Sequence, residues 1–336
     1  MPRNMKNAMQ HIARKWLPIL PCAVLLGWAC TGAAQTGTAA ANWPAKPIRA
    51  IVPFAPGGPA DVVARLVSQQ LSEIFGQPVI VDNRPGAGGN IGTVAVARSL
   101  PDGYTVLMTS SAFAVNVSFP DPGYTERDFA AVTVVAAQPN VIFVNPSLPA
   151  NTLAEFFAYA KTAKLAFASP GSGTTPHLTG EHLFNLVGKL NMPAAHFRGA
   201  GPGAAAVVAG EPPVGSMAIT APLQFIKAGR LRALAVSSDK RLALLPDVPT
   251  LAELGHPGMA DYTWIGVFLP AGTPAPVVQK LYEAVQRGVQ HPDTAARLAA
   301  LAFEPIADTP ARTTGYIKDE VAKWGKVVRD TGARPD

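Results

Sequence analysis

Cysteine is nearly absent from this 336-residue chain: Cys22 and Cys30 are the only two, and both fall near its start. Everything beyond residue 30 therefore has no disulfide, no thiolate metal site and no cysteine nucleophile. Positive charge is also scarcer than the formal net charge of +6 implies. Arg3, Lys6, Arg14 and Lys15 lie in the first 34 residues, which contain no acid; setting those four of the 28 basic residues aside leaves almost no excess over the 22 acids. With no local basic patch either, nucleic acid is not an expected partner. The chain lacks a G-x-S-x-G elbow, so Ser110, Ser111 and His177 have no hydrolase context, and it lacks H-E-x-x-H or H-x-x-E-H spacing. His182 follows His177 by five residues, which is not a same-face step on a helix. His177 reads as a cap-region or cleft residue, and no catalytic residue, metal or cofactor is expected.

Apolar material is plentiful, at 48% of the chain against 15% charged, enough for one large core or two ordinary ones. Its first concentration, residues 16–29, follows Arg14 and Lys15 and precedes a run of small residues. That run falls short of the roughly 20 residues a membrane-spanning helix needs, so it reads as a cleaved secretory signal. Cleavage after Ala34 and after Ala41 both remain open. Lipidation of Cys30 is disfavoured because Gly27 stands where a lipoprotein signal wants leucine. Residues 1–41 are thus expected to be removed and the remainder to work in the periplasm, where nucleotide cofactors are scarce.

From residue 47 onward, short β-branched runs alternate with helical periods. Strands are predicted at 48–54, 78–81 and 104–109, with helices at 60–75 and 90–100. A second set follows: helices at 153–164, 176–187 and 203–208, and strands at 165–168, 194–197 and 231–237. The last third returns with a strand at 264–269 and helices at 274–289, 292–301 and 310–331, each opening on a proline that a first helical turn tolerates. Alternation of this kind predicts mostly parallel sheets covered by helices. Crossings at 140–149 and 259–263 predict two lobes, the first discontinuous (42–142 and 263–336) and the second spanning 143–262.

Three strand-to-helix loops carry the candidate chemistry. Residues 52–61, V-P-F-A-P-G-G-P-A-D, leave a strand for a helix whose first amides are unpaired, a setting for an anion. Gly57 and Gly58 clear side chains from the backbone there; Asp61 caps the helix, orients the loop or meets an amino group. Residues 83–92, N-R-P-G-A-G-G-N-I-G, mimic a dinucleotide fingerprint without satisfying it, since Ile91 occupies the third glycine's place. Arg84 is either a carboxylate anchor or structural. Residues 169–178, S-P-G-S-G-T-T-P-H-L, form the second lobe's counterpart of the first loop, with Ser169, Ser172, Thr174 and Thr175 as hydroxyl donors. The two loops are expected to face each other across a cleft. Arg198, in H-F-R-G-A-G-P, is a further cleft candidate.

These segments resemble the Bug family, the periplasmic receptors of tripartite tricarboxylate transporters. The resemblance runs in order through W-P-A-K-P-I-R (43–49), the three loops above, P-D-G-Y-T (101–105), I-K-A-G-R-L-R-A-L-A-V (226–236) and L-P-D-V-P-T-L-A-E-L-G (245–255). It implies a two-lobed α/β Venus-flytrap fold and a non-enzymatic, monomeric receptor. Such a receptor holds a small mono- or dicarboxylate and hands it to membrane transporter subunits; a sensor feeding a signalling partner is the alternative. The ligand would be held by Phe54, Ala55, Pro56, Gly57, Gly58 and Asp61 in one lobe and by Ser169, Gly171, Gly173, Thr174 and Thr175 in the other, with Ser110 and Ser111 lining the cleft. One departure stands out: Gly210, Glu211, Pro212, Pro213, Val214, Gly215 and Ser216 replace a G-Q-V-D turn and bulky strand. Two prolines cannot donate to a central ladder, so this strand is expected to be frayed or at an edge.

Overall fold

The computed structural model describes residues 42–332; the expected export segment, both candidate cleavage points and Cys30 lie outside the described residues. Three parallel strands open the first lobe: β1 (Ile48–Val52), β2 (Val79–Asn83) and β3 (Thr105–Ser110). They are joined by α1 (Pro59–Phe75) and α2 (Asn90–Ala97), and a short α3 (Ala112–Asn116) follows. Helix α1 starts on Pro59, where a missing donor costs nothing. It buries Val63, Val67 and Leu71 at helical spacing, and Gly76 ends it in the left-handed region at φ 63°.

A single long strand, β4 (Phe129–Val144), then carries the chain from one lobe to the other. Between them α4 (Leu153–Ala160), β5 (Phe167–Ser169), α5 (Thr175–Gly180), β6 (Ala194–His196), α6 (Ala200–Ala209), β7 (Val214–Ala218), α7 (Leu223–Lys227) and β8 (Arg232–Val236) build the second lobe. Helix α5 continues as a π-helical stretch over Glu181–Val187. The return strand β9 (Tyr262–Pro270) leads to α8 (Ala275–Gln290), α9 (Pro292–Ala300), β10 (Glu304–Pro305) and α10 (Pro310–Thr331), which complete the first lobe. Among the described residues no helix is long and apolar enough to cross a membrane.

The strands run in the order β2-β1-β3-β9-β4-β7-β5-β6, with β8 and β10 also paired to β4. Strand β4 changes partners once. Residues Phe129 to Pro139 pair with β9, and Asn140 to Val144 pair with β7 and β8. Each lobe thus keeps the expected parallel set, β1 to β3 in one and β5 to β7 in the other, and joins it to β4 through antiparallel neighbours. Alternation along β4 then fills two cores. Ile142 and Val144 pack with Phe156, Phe167 and Phe184, while Val141 and Phe143 pack with Val207 and Met217 on the opposite face.

The proline-bearing strand corrects the expectation of fraying. Strand β7 is buried at all five positions and lies between β4 and β5, at the centre of its sheet. Pro212 and Pro213 precede its first residue, so no ladder donor is lost, and the Pro213 carbonyl accepts from Asn145 N at 2.8 Å. Gly215 is needed because a Cβ there would meet the Phe143 ring at 2.3 Å. The bulky side chain that fills this space comes from the neighbouring strand.

Candidate functional site

The loops that follow β1, β2, β3, β5 and β6 all leave the carboxyl ends of parallel strands, and they meet along one seam between the lobes. In open α/β sheets that crevice is where ligands bind. The close contacts across it include pairings the sequence did not suggest. Residues 53–58 pack on 197–201, with Ala55 N donating to Arg198 O at 2.8 Å. The approach is close: a Cβ on Gly201 would lie 2.7 Å from Pro56 O. The second loop, 169–175, instead packs on the glycine-rich loop after β2, where a Cβ on Gly88, itself at φ +59°, would lie 2.0 Å from Ser172 O. Asn116 Nδ2 braces that contact by donating to Gly88 O at 3.1 Å. The two loops expected to face each other do so across a small cavity, with Phe54 and Gly58 on one side and Pro170 and Pro176 on the other, while their close contacts are made with the two remaining loops.

Asp61 fixes the first loop from behind. Its Oδ2 accepts from Gly57 N (3.1 Å) and from Arg65 Nε (3.1 Å), while Oδ1 accepts from Asn83 Nδ2 (3.0 Å) and pairs with Arg65 Nη2 (2.9 Å). The same Asn83 amide donates to Phe54 O at 2.9 Å, so one side chain holds both ends of the turn. Burial pushes the Asp61 carboxyl up, but the bonds from Arg65, Gly57 and Asn83 outweigh it and hold the group below its ordinary value. Asp61 thus orients the loop, one of the roles its position allowed; the helix N-cap is Gly58, with no side-chain cap. The expectation that the Gly57 amide is free for an anion is corrected: that amide is taken by Asp61.

The hydroxyls of the second loop are likewise engaged within the protein. Ser169 Oγ pairs with His196 Nδ1 at 2.7 Å and also accepts from Gly171 N at 3.3 Å. Thr174 Oγ1 donates to Gly171 O and caps α5 by accepting from His177 N at 3.3 Å. Gly173 packs against Asn116, and its amide donates to His177 Nδ1 at 3.3 Å. Ser110 Oγ accepts from Ala112 N at 3.4 Å.

Thr175 does something different: it joins Ser111 of the first lobe (2.9 Å) to Thr263 at the start of β9 (3.1 Å). From Thr263 the chain of bonds passes to Asn140 Oδ1 (2.8 Å), and Asn140 Nδ2 donates to Asp261 Oδ2 (2.5 Å), which also accepts from Thr179 Oγ1 (2.6 Å). Both strand crossings and both lobes are tied by this buried polar chain. Both residues fall in the crossings expected at 140–149 and 259–263, but nothing in the sequence marks their contact, which spans 121 residues.

Three cavities border the seam. The smallest, about 20 Å³, lies at the start of α1 between Phe54, Gly58, Ala60, Pro170, Ala200 and Thr263, and has room for about one water. The next, about 330 Å³, is lined by Phe54, Gly88, Gly171, His196, Phe197 and Arg198 among others, and reaches the size of small-molecule sites. A third, about 490 Å³, holds Arg98, Asn116 and Asp121. Of the residues singled out in the sequence, Phe54, Gly171 and Arg198 share the middle cavity. Phe54 and Gly58 border the smallest. Pro56 and Gly57 are exposed on the rim. Ser110, Ser111, Ser169, Gly173, Thr174 and Thr175 line none of the three.

The comparisons with known proteins agree with the two-lobed fold. The tripartite tricarboxylate transporter family receptor model matches residues 63–333. Protein BugT of Bordetella pertussis is 37% identical, over 93% of this chain and 97% of its own length. The periplasmic binding protein BugD superposes with a TM-score of 0.84 at 32% identity, covering 87% of this chain and 99% of that one. An R. palustris protein, Rpa4515, solved with adipate, gives 0.83 at 31% identity, covering 88% and 100%. With its two-lobed periplasmic-binding-protein fold and a family match over most of its length, this chain belongs to the tripartite tricarboxylate transporter receptor family.

Proposed function

We propose that the mature chain is a periplasmic, monomeric receptor that closes its two lobes, 42–142 with 263–336 and 143–262, on a small carboxylated acid. It then presents that acid to the membrane subunits of a tripartite transporter. The observation that carries this reading is the seam itself. Loops from the carboxyl ends of both parallel strand sets meet there, held across by a few hydrogen bonds such as Ala55 to Arg198 and Ser111 to Thr175. Bonds of this kind contribute only about 0.5–1.5 kcal/mol each, so the hydrogen bonds across the seam do not by themselves lock it shut. Closure around a charged group is favoured when several donors replace its water. A relative of similar fold carries adipate, which supports a carboxylate as cargo.

Titration calorimetry of the mature protein with a panel of organic acids and their neutral amides tests the proposal. An acid that binds at least tenfold tighter than its amide supports it; a panel in which no acid binds, while neutral or cationic solutes do, defeats it. Gly201→Ala tests closure separately. Alanine suits a helix better than glycine by roughly 1 kcal/mol, so α6 should hold, yet the new Cβ meets Pro56 O at 2.7 Å across the seam. Affinity should fall while the melting temperature does not.

A further inference from the structure

Helix α5 turns one face to the first lobe. Thr175 bonds Ser111 there, and Leu178 is buried with Phe113, Trp264, Ile317 and Trp324 of that lobe. Thr179 shares the face and donates to Asp261 Oδ2 at 2.6 Å. Asp261 belongs with the second lobe as well, because its amide donates to Ser237 O, just beyond β8, at 3.0 Å. The charged and titratable groups that face its carboxyl come from the first lobe, on α10: Lys323 attracts its charge, Glu320 repels it, and the Tyr316 phenol lies within reach of both acids. From β4 and α5 it meets only the neutral Asn140 and Thr179, and its neighbour Tyr262 turns its hydroxyl to Asp239 instead.

These contacts tie the state of one carboxyl to the angle between the lobes. Parting Thr175 from Ser111 moves α5 and Asp261 together, and so draws both away from α10. With the seam packed, Asp261 Oδ1 is buried and has no hydrogen-bond partner among the described residues. A carboxylate oxygen in that position bears the cost of lost water, which a proton removes and an opened seam relieves. We propose that Asp261 is a proton-sensitive latch at the strand crossing: the packed seam holds it neutral, the parted seam holds it ionised, and acid therefore favours closure of the lobes. The inference rests on the lobe motion of the receptor reading above and adds a control to it. The packed-state pKa of about 6, raised chiefly by burial against the bond from Thr179 and the pull of Lys323, has the required direction. With the ordinary 3.8 in the parted form, the closed form's advantage is complete below about pH 4 and is lost as pH rises through 6. From pH 7.5 to pH 5 the ratio of closed to parted chains should rise about tenfold.

Small-angle scattering of the ligand-free mature chain through a pH series from 7.5 to 5 tests this, with circular dichroism at each pH to verify folding. The radius of gyration should fall as the solution is acidified. Asp261→Asn, which is neutral throughout, should keep the compact value at every pH. Lys323→Gln, whose lysine side chain is 50% exposed, removes an attraction that favours the carboxylate and should move the transition to higher pH. A wild-type radius that is constant or grows in acid, or a pH response that survives in Asp261→Asn, overturns the inference. If Asp261→Asn does not fold, Lys323→Gln decides, and an unmoved transition overturns it. No ligand takes part, so each of these failures leaves the receptor reading to be judged by the acid panel alone.

Discussion

Asp61 and Asp261 are buried to nearly the same degree, 4% and 5% exposed, yet their surroundings are opposite. Both oxygens of Asp61 are occupied, by a backbone amide, a side-chain amide and a guanidinium, and its carboxyl is held below the ordinary value. Asp261 has two donors on Oδ2 and none on Oδ1. Burial raises its pKa to about 6 despite the bonds from Thr179 and Asn140 and the attraction of Lys323, and Glu320 adds to the rise. Low exposure of the residue alone therefore does not set a carboxyl's charge: Asp61 has a guanidinium against it, while Asp261 lies deeper with only neutral donors on one oxygen. Asp61 is built to stay ionised and keep a binding loop in shape. Asp261 is built into the strand crossing, where a hydrogen-bonded but half-satisfied carboxyl joins the two lobes.

The largest test of this contrast is the pH dependence of stability. A folded pKa near 6 against an ordinary 3.8 means that between these values the folded chain keeps a proton the unfolded chain has released. The contribution is fully present below about pH 4, is lost as pH rises through 6, and amounts to roughly 3 kcal/mol in all. Urea unfolding at pH 4 and pH 7 should show that slope in the wild type and lose it in Asp261→Asn; equal slopes would remove Asp261 from the account.

Next in size is Asp61→Ala, which leaves Gly57, Asn83 and Arg65 without their acceptor. Gly57 is exposed and the Arg65 side chain is 54% exposed, so water replaces part of what is lost, and about 2 kcal/mol should remain. The sign with pH is the reverse of that for Asp261. A lowered folded pKa gives stability that is present above about pH 4 and disappears as pH falls through the folded value. Wild type and variant should converge in acid, and a gap that persists there would mean the loss is not electrostatic. Thr263→Val should cost less, about 1 kcal/mol, by removing the hydroxyl between Thr175 and Asn140. A cost near zero by the same unfolding assay would show that the polar chain contributes nothing to stability.

Much of this fold could be read from the chain because its elements are punctuated. Thr309 and Pro310 announce α10, and Pro292 announces α9, close to where the structure has them. Strand β4 escaped because Pro139 looks like a break. In the structure Pro139 is the last residue paired to β9, and its carbonyl accepts from Ile219 N at 3.1 Å, so its missing donor falls where the strand changes partners. The loops at the strand ends were legible for the same reason as the strands. Which loop meets which was not, since the seam is decided by contacts such as Gly88 on Ser172, far apart in sequence and dependent on an absent side chain. Asn83 is instructive as well. It stood inside the noticed N-R-P-G stretch, but its role depends on Asp61, 22 residues earlier.

Arg65→Gln is the smallest change and the sharpest test of how Asp61 works. The carboxylate of this pair is buried but its guanidinium is 54% exposed, so water offsets part of the loss and about 1 kcal/mol is expected, glutamine keeping a donor of shorter reach. Gly57 N does not depend on Arg65, and Asn83 loses only the Arg65 Nη2 bond to its Oδ1 (3.1 Å) while its Nδ2 keeps Phe54 O and Asp61 Oδ1, so the turn at Phe54 should keep its shape and carboxylate affinity should be unchanged. The remaining loss should shrink with added salt, because a pair half open to solvent is screened within a Debye length. If Arg65→Gln instead destabilised the chain as much as Asp61→Ala, at low and high salt alike, the loop would be held by the guanidinium and not by the two amides. Asp61 would then be one half of an ion pair, no different in kind from the surface pairs of Arg241 and Arg312.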